Sequence, residues 1–227
     1  GVARDISERK AREEELRRQN ERLDEFASVV SHDLRTPLNV ASGRIELARE
    51  TEDASHLGAA EDALDRMTTL IQDAMTLARD GRTVESPSPV ELTPLVETAW
   101  NGVPADGATL SVPAESVTVL ADKPRLQRCV ENVLRNAVDH AEDPHIDVSV
   151  TVTGDTATLS ICDDGPGIPA DEREDVLQSG YTTSSEGSGL GLGIVARIAE
   201  AHGWGISLSE SDAGGLCIEL SRIALAE

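Results

Sequence analysis

The chain has 227 residues and a formal net charge of −22, with 39% hydrophobic but only 2% aromatic residues. That length allows one large or two ordinary domains, each able to bury a core, which must be built from Ala, Val, Leu and Ile. The acidic balance excludes a nucleic-acid-binding surface of the usual basic kind, and no apolar run approaches the roughly 18 residues of a membrane span.

Residues 1–25 are dominated by charge, yet Leu16, Leu23, Phe26 and Val30 keep the seven-, three- and four-residue spacing of a coiled-coil seam. The stripe continues through Leu34, Leu38, Ala41, Ile45 and Ala48, so one helix is predicted from about Ile6 to Glu50. Thr51 to Ser55 interrupts it. A second helix then carries Leu57, Ala60, Leu64, Met67, Ile71, Ala74 and Ala78, with Leu70 and Leu77 widening the face. A hairpin of two such helices leaves apolar surface that a second copy would cover, predicting an all-α hairpin that dimerises into a four-helix bundle over residues 26–80.

Residues 81–89, with Gly81, Ser86, Pro87, Ser88 and Pro89, read as a linker. Beyond it the pattern changes. Helices are predicted near Pro94–Asn101, Lys123–Ala141 and Leu190–His202. Strands are predicted near Thr109–Val112, Ser116–Leu120, Ile146–Thr153, Thr156–Cys162, Gly205–Glu210 and Leu216–Arg222. Helices and strands mixed without strict alternation indicate an α+β sandwich over residues 90–227.

Four stretches carry chemistry. Ser31-His32-Asp33-Leu34-Arg35-Thr36-Pro37-Leu38 sets an imidazole beside a carboxylate inside an apolar-patterned helix, where the bland reading is a solvated polar spot. Asn132 and Asn136 are four apart in Asn132-Val133-Leu134-Arg135-Asn136-Ala137 and share a helix face; paired amides can hold a hydrated Mg²⁺ or bond phosphate. Asp163-Asp164-Gly165-Pro166-Gly167-Ile168 follows a β-branched strand. Its first carboxylate can accept a bond from an exocyclic base amine, though a plain Asp-Gly turn looks the same. Gly187-Ser188-Gly189-Leu190-Gly191-Leu192 runs into a helix, and clustered N–H groups at a helix start favour phosphate. It is neither a dinucleotide fingerprint nor a Walker A loop. Ser31, His32 and Asp33 cannot form a hydrolase triad, because consecutive helical residues point about 100° apart.

In this order the last three stretches resemble the N, G1 and G2 boxes of the GHKL ATP-binding fold. With the octet upstream, the chain resembles a sensor histidine kinase from about residue 8 to 224. The resemblance implies His32 as phosphoacceptor and Asp33 as the acid that orients or deprotonates it. It implies Asn136, assisted by Asn132, as the Mg²⁺-holding amides, with Arg135 a possible compensating base. Asp163 would read adenine, with Gly165, Gly167 and Ile168 beside it. Gly187, Gly189, Leu190 and Gly191 would line the phosphate loop under a lid at about 180–188. Thr36 resembles the residue that positions water when such kinases act as phosphatases. The implied cofactors are ATP and Mg²⁺. The implied partners are a second copy and a response regulator, in the cytoplasm. Arg4-Asp5-Ile6-Ser7-Glu8-Arg9-Lys10 resembles the end of a PAS domain, so residues 1–25 would be the signalling helix of a sensor cut away; the missing initiator Met agrees.

The chain also departs from the family. Asp139 and His140 stand where the N box often has Lys and Tyr, Val176-Leu177-Gln178-Ser179-Gly180-Tyr181 lacks the F-box phenylalanines, and a late Thr near adenine becomes Leu216 or Cys217. A catalytically dead kinase serving as a dimeric scaffold is the alternative these departures raise; another GHKL ATPase ranks lower, having no His-Asp octet.

Cys129, Cys162 and Cys217 are scattered through apolar surroundings and read as small buried hydrophobes in a reducing compartment, not disulfides. His56, His140, His145 and His202 lack metal-ligand spacing and read as structural or solvated. Only Lys10 and Lys123 of the 20 basic residues are lysines, and an acid-rich, lysine-poor surface suits a salty interior that screens its self-repulsion. The thermal midpoint should therefore rise between dilute buffer and molar KCl; a flat or falling midpoint would remove the inference of a halophilic source.

Overall fold

A computed structural model describes residues 34–51, 53–61, 63–64, 67–68, 71, 84, 86–105, 107–177 and 191–226. The coiled-coil seam of residues 1–25 and the octet residues Ser31, His32 and Asp33 lie outside them, as do residues 178–190. The chain divides into two compact units, Gly1–Ala74 and Met75–Glu227.

In the first unit residues 34–51 form helix α1, and the described residues between 55 and 71 belong to helix α2. The connection is a cap. Asp53 Oδ1 accepts the Ser55 N–H at 2.9 Å, which satisfies a donor left open at the start of α2. The Ser55 backbone N–H and hydroxyl hold the exposed Asp53 carboxyl below the usual aspartate range, so the cap stays charged in mild acid. Ala41, Ala60 and Ala63 are buried, whereas Leu38, Ile45, Leu57, Leu64 and Ile71 stay exposed in the single chain. Those exposed residues lie on the two sequence stripes.

The second unit begins earlier than its sequence pattern indicates. Ser88 and Pro89, read as linker, open strand β1 (Ser88–Glu91), which pairs antiparallel with β3 (Thr118–Ala121). Proline at a strand's edge costs no ladder bond, so composition alone hid this strand. Helix α3 (Leu92–Trp100), strand β2 (Thr109–Ser111), helix α4 (Lys123–His140) and strands β4 (His145–Thr153) and β5 (Thr156–Asp163) follow. A 3₁₀ turn at Asp175–Leu177, helix α5 (Gly191–His202) and strands β6 (Gly205–Glu210) and β7 (Leu216–Ala224) complete the unit. The main sheet runs β2-β4-β5-β7-β6, antiparallel except for the β2–β4 pair. The expected α+β sandwich is the fold observed.

Helix α4 forms because Asp122 caps it, accepting the Arg125 N–H at 3.2 Å, and Pro124 sits in its first turn where a missing N–H costs nothing. Leu126, Cys129, Val130, Val133, Leu134 and Ala137 make its buried face. They share the core with Ile194, Val195 and Ile198 of α5 and with Ile146, Leu159, Leu220 and Ile223 of the sheet. Each large aliphatic side chain so buried contributes about 2 kcal/mol relative to exposure. His202 ties the two helices together. Asp122 N–H donates to its Nε2 at 3.0 Å, which leaves Nδ1–H to donate to the Ile198 carbonyl at 2.8 Å, and the ring stacks on Trp204 with centroids 4.0 Å apart. The structural reading of His202 stands.

The cysteine reading needs correction. Cys162 and Cys217 face each other across β5 and β7 and form a disulfide, so the inference of a reducing compartment drawn from them falls. Fifty-five positions separate them, and no spacing reveals that two strands place them in register. Only Cys129 is free, and burial pushes its thiol up to about 12, leaving it inert at neutral pH. Denatured, unreduced protein should therefore present one titratable thiol per chain, and three after reduction. The double substitution Cys162→Ala, Cys217→Ala should cost roughly 2–4 kcal/mol of stability, as for loss of an ordinary cross-link. Three thiols without reductant would exclude the bond.

Candidate nucleotide site

The site is assembled where the β5–β7 ladder stops. Cys162–Cys217 is the last register pair, and Asp163 follows immediately. Asp163 Oδ1 takes over from the ladder by accepting the Leu216 N–H at 3.1 Å and the Gly165 N–H at 2.9 Å. Its Oδ2 accepts no hydrogen bond among the described residues. The carboxylate is half-buried, so one oxygen is fixed by main-chain donors while the other remains available to a ligand's donor.

The glycines beside it have different reasons to be glycine. Gly167 has φ +69°, and a Cβ there would press on the carbonyl oxygens of Gly214 and Gly215 at 3.1 and 3.2 Å. At Gly165 the backbone itself is ordinary. A Cβ there would meet Asp163 Oδ1 at 3.0 Å and the Ala141 Cβ at 3.1 Å, so the loop lies against the end of α4. Ile168 contributes its carbonyl, which accepts from Arg173 Nε at 2.9 Å and closes the segment behind the loop. Asp164 is exposed and accepts the His145 N–H at 2.8 Å.

Asn132 and Asn136 lie beside the buried stripe of α4, both half-buried. The Asn132 amide nitrogen donates to the Arg128 carbonyl at 2.8 Å. That leaves its Oδ1 facing Gly191, where a Cβ would come within 3.6 Å. Asn136 makes no side-chain hydrogen bond among the described residues. Gly191 is the first residue of α5, whose N-terminal N–H groups favour an anion. The structure thus brings Asn132 against the start of α5, and Gly165, which lies on Asp163 Oδ1, against the end of α4. Arg135 is half-buried on α4. Gly187, Gly189 and Leu190, and the lid at 180–188, lie outside the described residues.

The departures can be located too. Asp139 and His140 are exposed in the last turn of α4. Val176 is buried in the 3₁₀ turn, filling an apolar position with an aliphatic side chain where the family often has an aromatic one. Of the two positions considered for the late Thr, Leu216 meets Asp163, through its main chain, and its side chain is buried. Cys217 is committed to the disulfide. Sequence reading missed Ser211 and Gly215. Ser211 Oγ donates to the Asp163 carbonyl at 2.7 Å, and Gly215 packs directly on Asp163. Their only signal was the small-residue run Ser211-Asp212-Ala213-Gly214-Gly215 between two strands, which reads as any turn.

Among the described residues no group of three or more His, Cys, Asp or Glu could hold a metal, and no helix is long and apolar enough to cross a membrane. Of the octet, only its second half is described: Thr36 is exposed on α1, next to a buried Pro37.

Residues 22–82 match the His Kinase A (phospho-acceptor) domain family, and residues 121–227 match the histidine kinase-, DNA gyrase B- and HSP90-like ATPase family. Among curated relatives, the methanogenesis regulatory histidine kinase FilI of Methanothrix harundinacea is 30% identical over 90% of this chain and 25% of its own length. The sensor histidine kinase GtrS of Pseudomonas aeruginosa is 32% identical over 88% of this chain and 42% of its own. The chain therefore spans between a quarter and a half of the relatives it resembles. Among solved structures, full-length ShkA in complex with AMPPNP is 28% identical with a TM-score of 0.65, covering 89% of this chain and 46% of that one. With a phospho-acceptor family match ahead of an ATPase family match, the chain belongs to the sensor histidine kinases of two-component signalling.

Proposed function

We propose that this chain phosphorylates its own His32 from ATP and passes the phosphoryl group to an aspartate of a response regulator. The observation that carries the reading is the half-fixed Asp163 carboxylate, whose Oδ1 takes main-chain donors while Oδ2 accepts no hydrogen bond among the described residues, with the adjoining Gly165 set against the end of α4. An exocyclic adenine amine donating to Asp163 Oδ2 would fix the base. The phosphates would then run toward Asn132, Asn136, Arg135 and the α5 start, with Gly187, Gly189, Leu190 and Gly191 supplying further N–H groups. ShkA, solved with an ATP analogue, supports that choice of nucleotide.

Asn136, assisted by Asn132, fits Mg²⁺. A hard cation takes carboxamide oxygen, and Mg²⁺ keeps few protein ligands because it arrives with the nucleotide phosphates. When bound it would neutralise phosphate charge. A neutral His32 nitrogen forms a bond to the γ-phosphorus as the bond from the β–γ bridging oxygen breaks, and ADP leaves. Asp33 accepts the N–H of the other ring nitrogen, which fixes the tautomer and makes the attacking nitrogen more basic. Residues 26–80 would dimerise through the exposed leucines and isoleucines of α1 and α2, burying a surface a single chain leaves in water. Residues 1–25 would deliver the signal, and dependence on ATP and a receiver domain implies a cytoplasmic setting. The scaffold alternative draws on lost side chains, and the Leu216 main chain already supplies the donor to Asp163.

Incubated with γ-labelled ATP and Mg²⁺ in high salt, the chain should acquire acid-labile label. His32→Gln should abolish it, and Asn136→Ala should reduce it at least a hundredfold, the scale of losing a group that positions charge in the transition state. Label that survives His32→Gln would discard the assignment, and nucleotide binding without label would favour the scaffold.

The exposed Thr36, one turn beyond His32, would position water for regulator dephosphorylation. Thr36→Ala should lose that activity by about tenfold or more while keeping autophosphorylation within about threefold, a difference of roughly 1 kcal/mol marking the boundary between the two effects. Normal dephosphorylation by the variant would refute the role.

A further inference from the structure

Ser211 lies in the turn between β6 and β7, 48 positions after Asp163 and outside the N, G1 and G2 boxes. Each of its polar atoms is used. Its N–H donates to the Gly215 carbonyl at 2.9 Å, its carbonyl accepts from Gly214 N–H at 2.9 Å, and its Oγ accepts from Gly215 N–H at 2.9 Å. Those three bonds close the turn on itself, as a serine in any tight turn can do. The fourth bond is of another kind. Ser211 Oγ donates at 2.7 Å to the carbonyl of Asp163, 48 positions away and outside the turn.

That bond falls where β7 no longer pairs with Asp163, whose remaining register partner is Ile146 of β4. The β5–β7 register ends at Cys162–Cys217, so Asp163 has no register partner on β7. Ser211 replaces the missing main-chain donor. Gly215 completes the clamp: a Cβ there would collide with the Asp163 carbonyl and lie 2.5 Å from Oδ1. Next in the chain, Leu216 sends its N–H to that same Oδ1. One short segment, 211–216, therefore fixes the carbonyl of Asp163, its side-chain rotamer and the direction of its free oxygen.

We infer that Ser211, with Gly215, is a positioning residue for base recognition: it holds the Asp163 carboxylate so that Oδ2 meets the exocyclic amine of the purine. The inference rests on the reading of Asp163 as the adenine-reading group, and the experiment separates the two. The probes are ATP and purine riboside 5′-triphosphate, which carries the same phosphates and ring but no exocyclic amine. Their binding to the full chain is measured by competition against a fluorescent nucleotide.

Wild type should prefer ATP by about tenfold, the scale of one hydrogen bond to a charged acceptor. In Ser211→Ala, affinity for ATP should fall about fivefold while affinity for the amine-free nucleotide changes less than twofold, so that the preference collapses. In labelled-phosphate assays the loss should appear in KM for ATP, with kcat nearly unchanged. Ser211→Thr, which keeps a hydroxyl, should restore the preference. Gly215→Ala, which leaves Ser211 intact but crowds Asp163, should abolish it. Equal weakening for both nucleotides in Ser211→Ala, together with a lowered thermal midpoint, would reduce Ser211 to a turn-closing residue and overturn the inference. An unchanged preference in both Ser211→Ala and Gly215→Ala would overturn it as well. A wild type that does not distinguish the nucleotides would overturn the reading of Asp163 itself, and with it this inference.

Discussion

The catalytic unit depends on how its sheet ends. Antiparallel strands satisfy their own backbone groups only while they remain in register, and β5 leaves register with β7 at Cys162–Cys217. The next residue, Asp163, keeps a register partner on β4, Ile146, but on the β7 side must find others. It finds them in the Leu216 and Gly165 N–H groups for its side chain and in Ser211 for its carbonyl. The satisfaction is asymmetric, since among the described residues both donors to the carboxylate reach Oδ1. A strand end that needed only capping could have used any polar side chain. A carboxylate held by one oxygen also presents a fixed acceptor to whatever enters beside it.

The same constraint explains which parts of the site were legible in the sequence. Elements with a strong period were read close to their true limits: α4 at Lys123–His140 and β6 at Gly205–Glu210 follow directly from apolar spacing. The chemical groups were readable where their spacing is local, as with Asn132 and Asn136 four apart on one helix. Partners joined only by strand register were not. Ser211 and Asp163, or Cys162 and Cys217, are related by the alignment of β5 with β7, which no local pattern encodes. The strand at Ser88–Glu91 was hidden differently. Its composition is that of a linker, and only pairing with β3 reveals it as an edge.

The disulfide bears on the same corner. It joins the residue before Asp163 to the residue after Leu216, so both strands that supply the carboxylate and its donor are covalently tied. Cross-links are uncommon in compartments where thiols are kept reduced. Here hydrogen bonds already fix Asp163, and its geometry therefore does not depend on the bond alone.

The departures from the family pattern acquire a physical meaning at this point. A threonine beside the adenine would offer a hydroxyl as well as a main-chain N–H. Leu216 keeps the N–H and buries its side chain, so the contact that orients Asp163 is retained while a second polar contact is replaced by an apolar surface. A main-chain donor cannot be lost by side-chain substitution, except to proline, which makes it the more durable of the two. Val176 follows the same logic, filling an apolar position with an aliphatic side chain where the family often has an aromatic one. With aromatics only 2% of its residues, the chain builds its core from aliphatics. Side-chain motifs alone would therefore overlook the main-chain donor that orients Asp163.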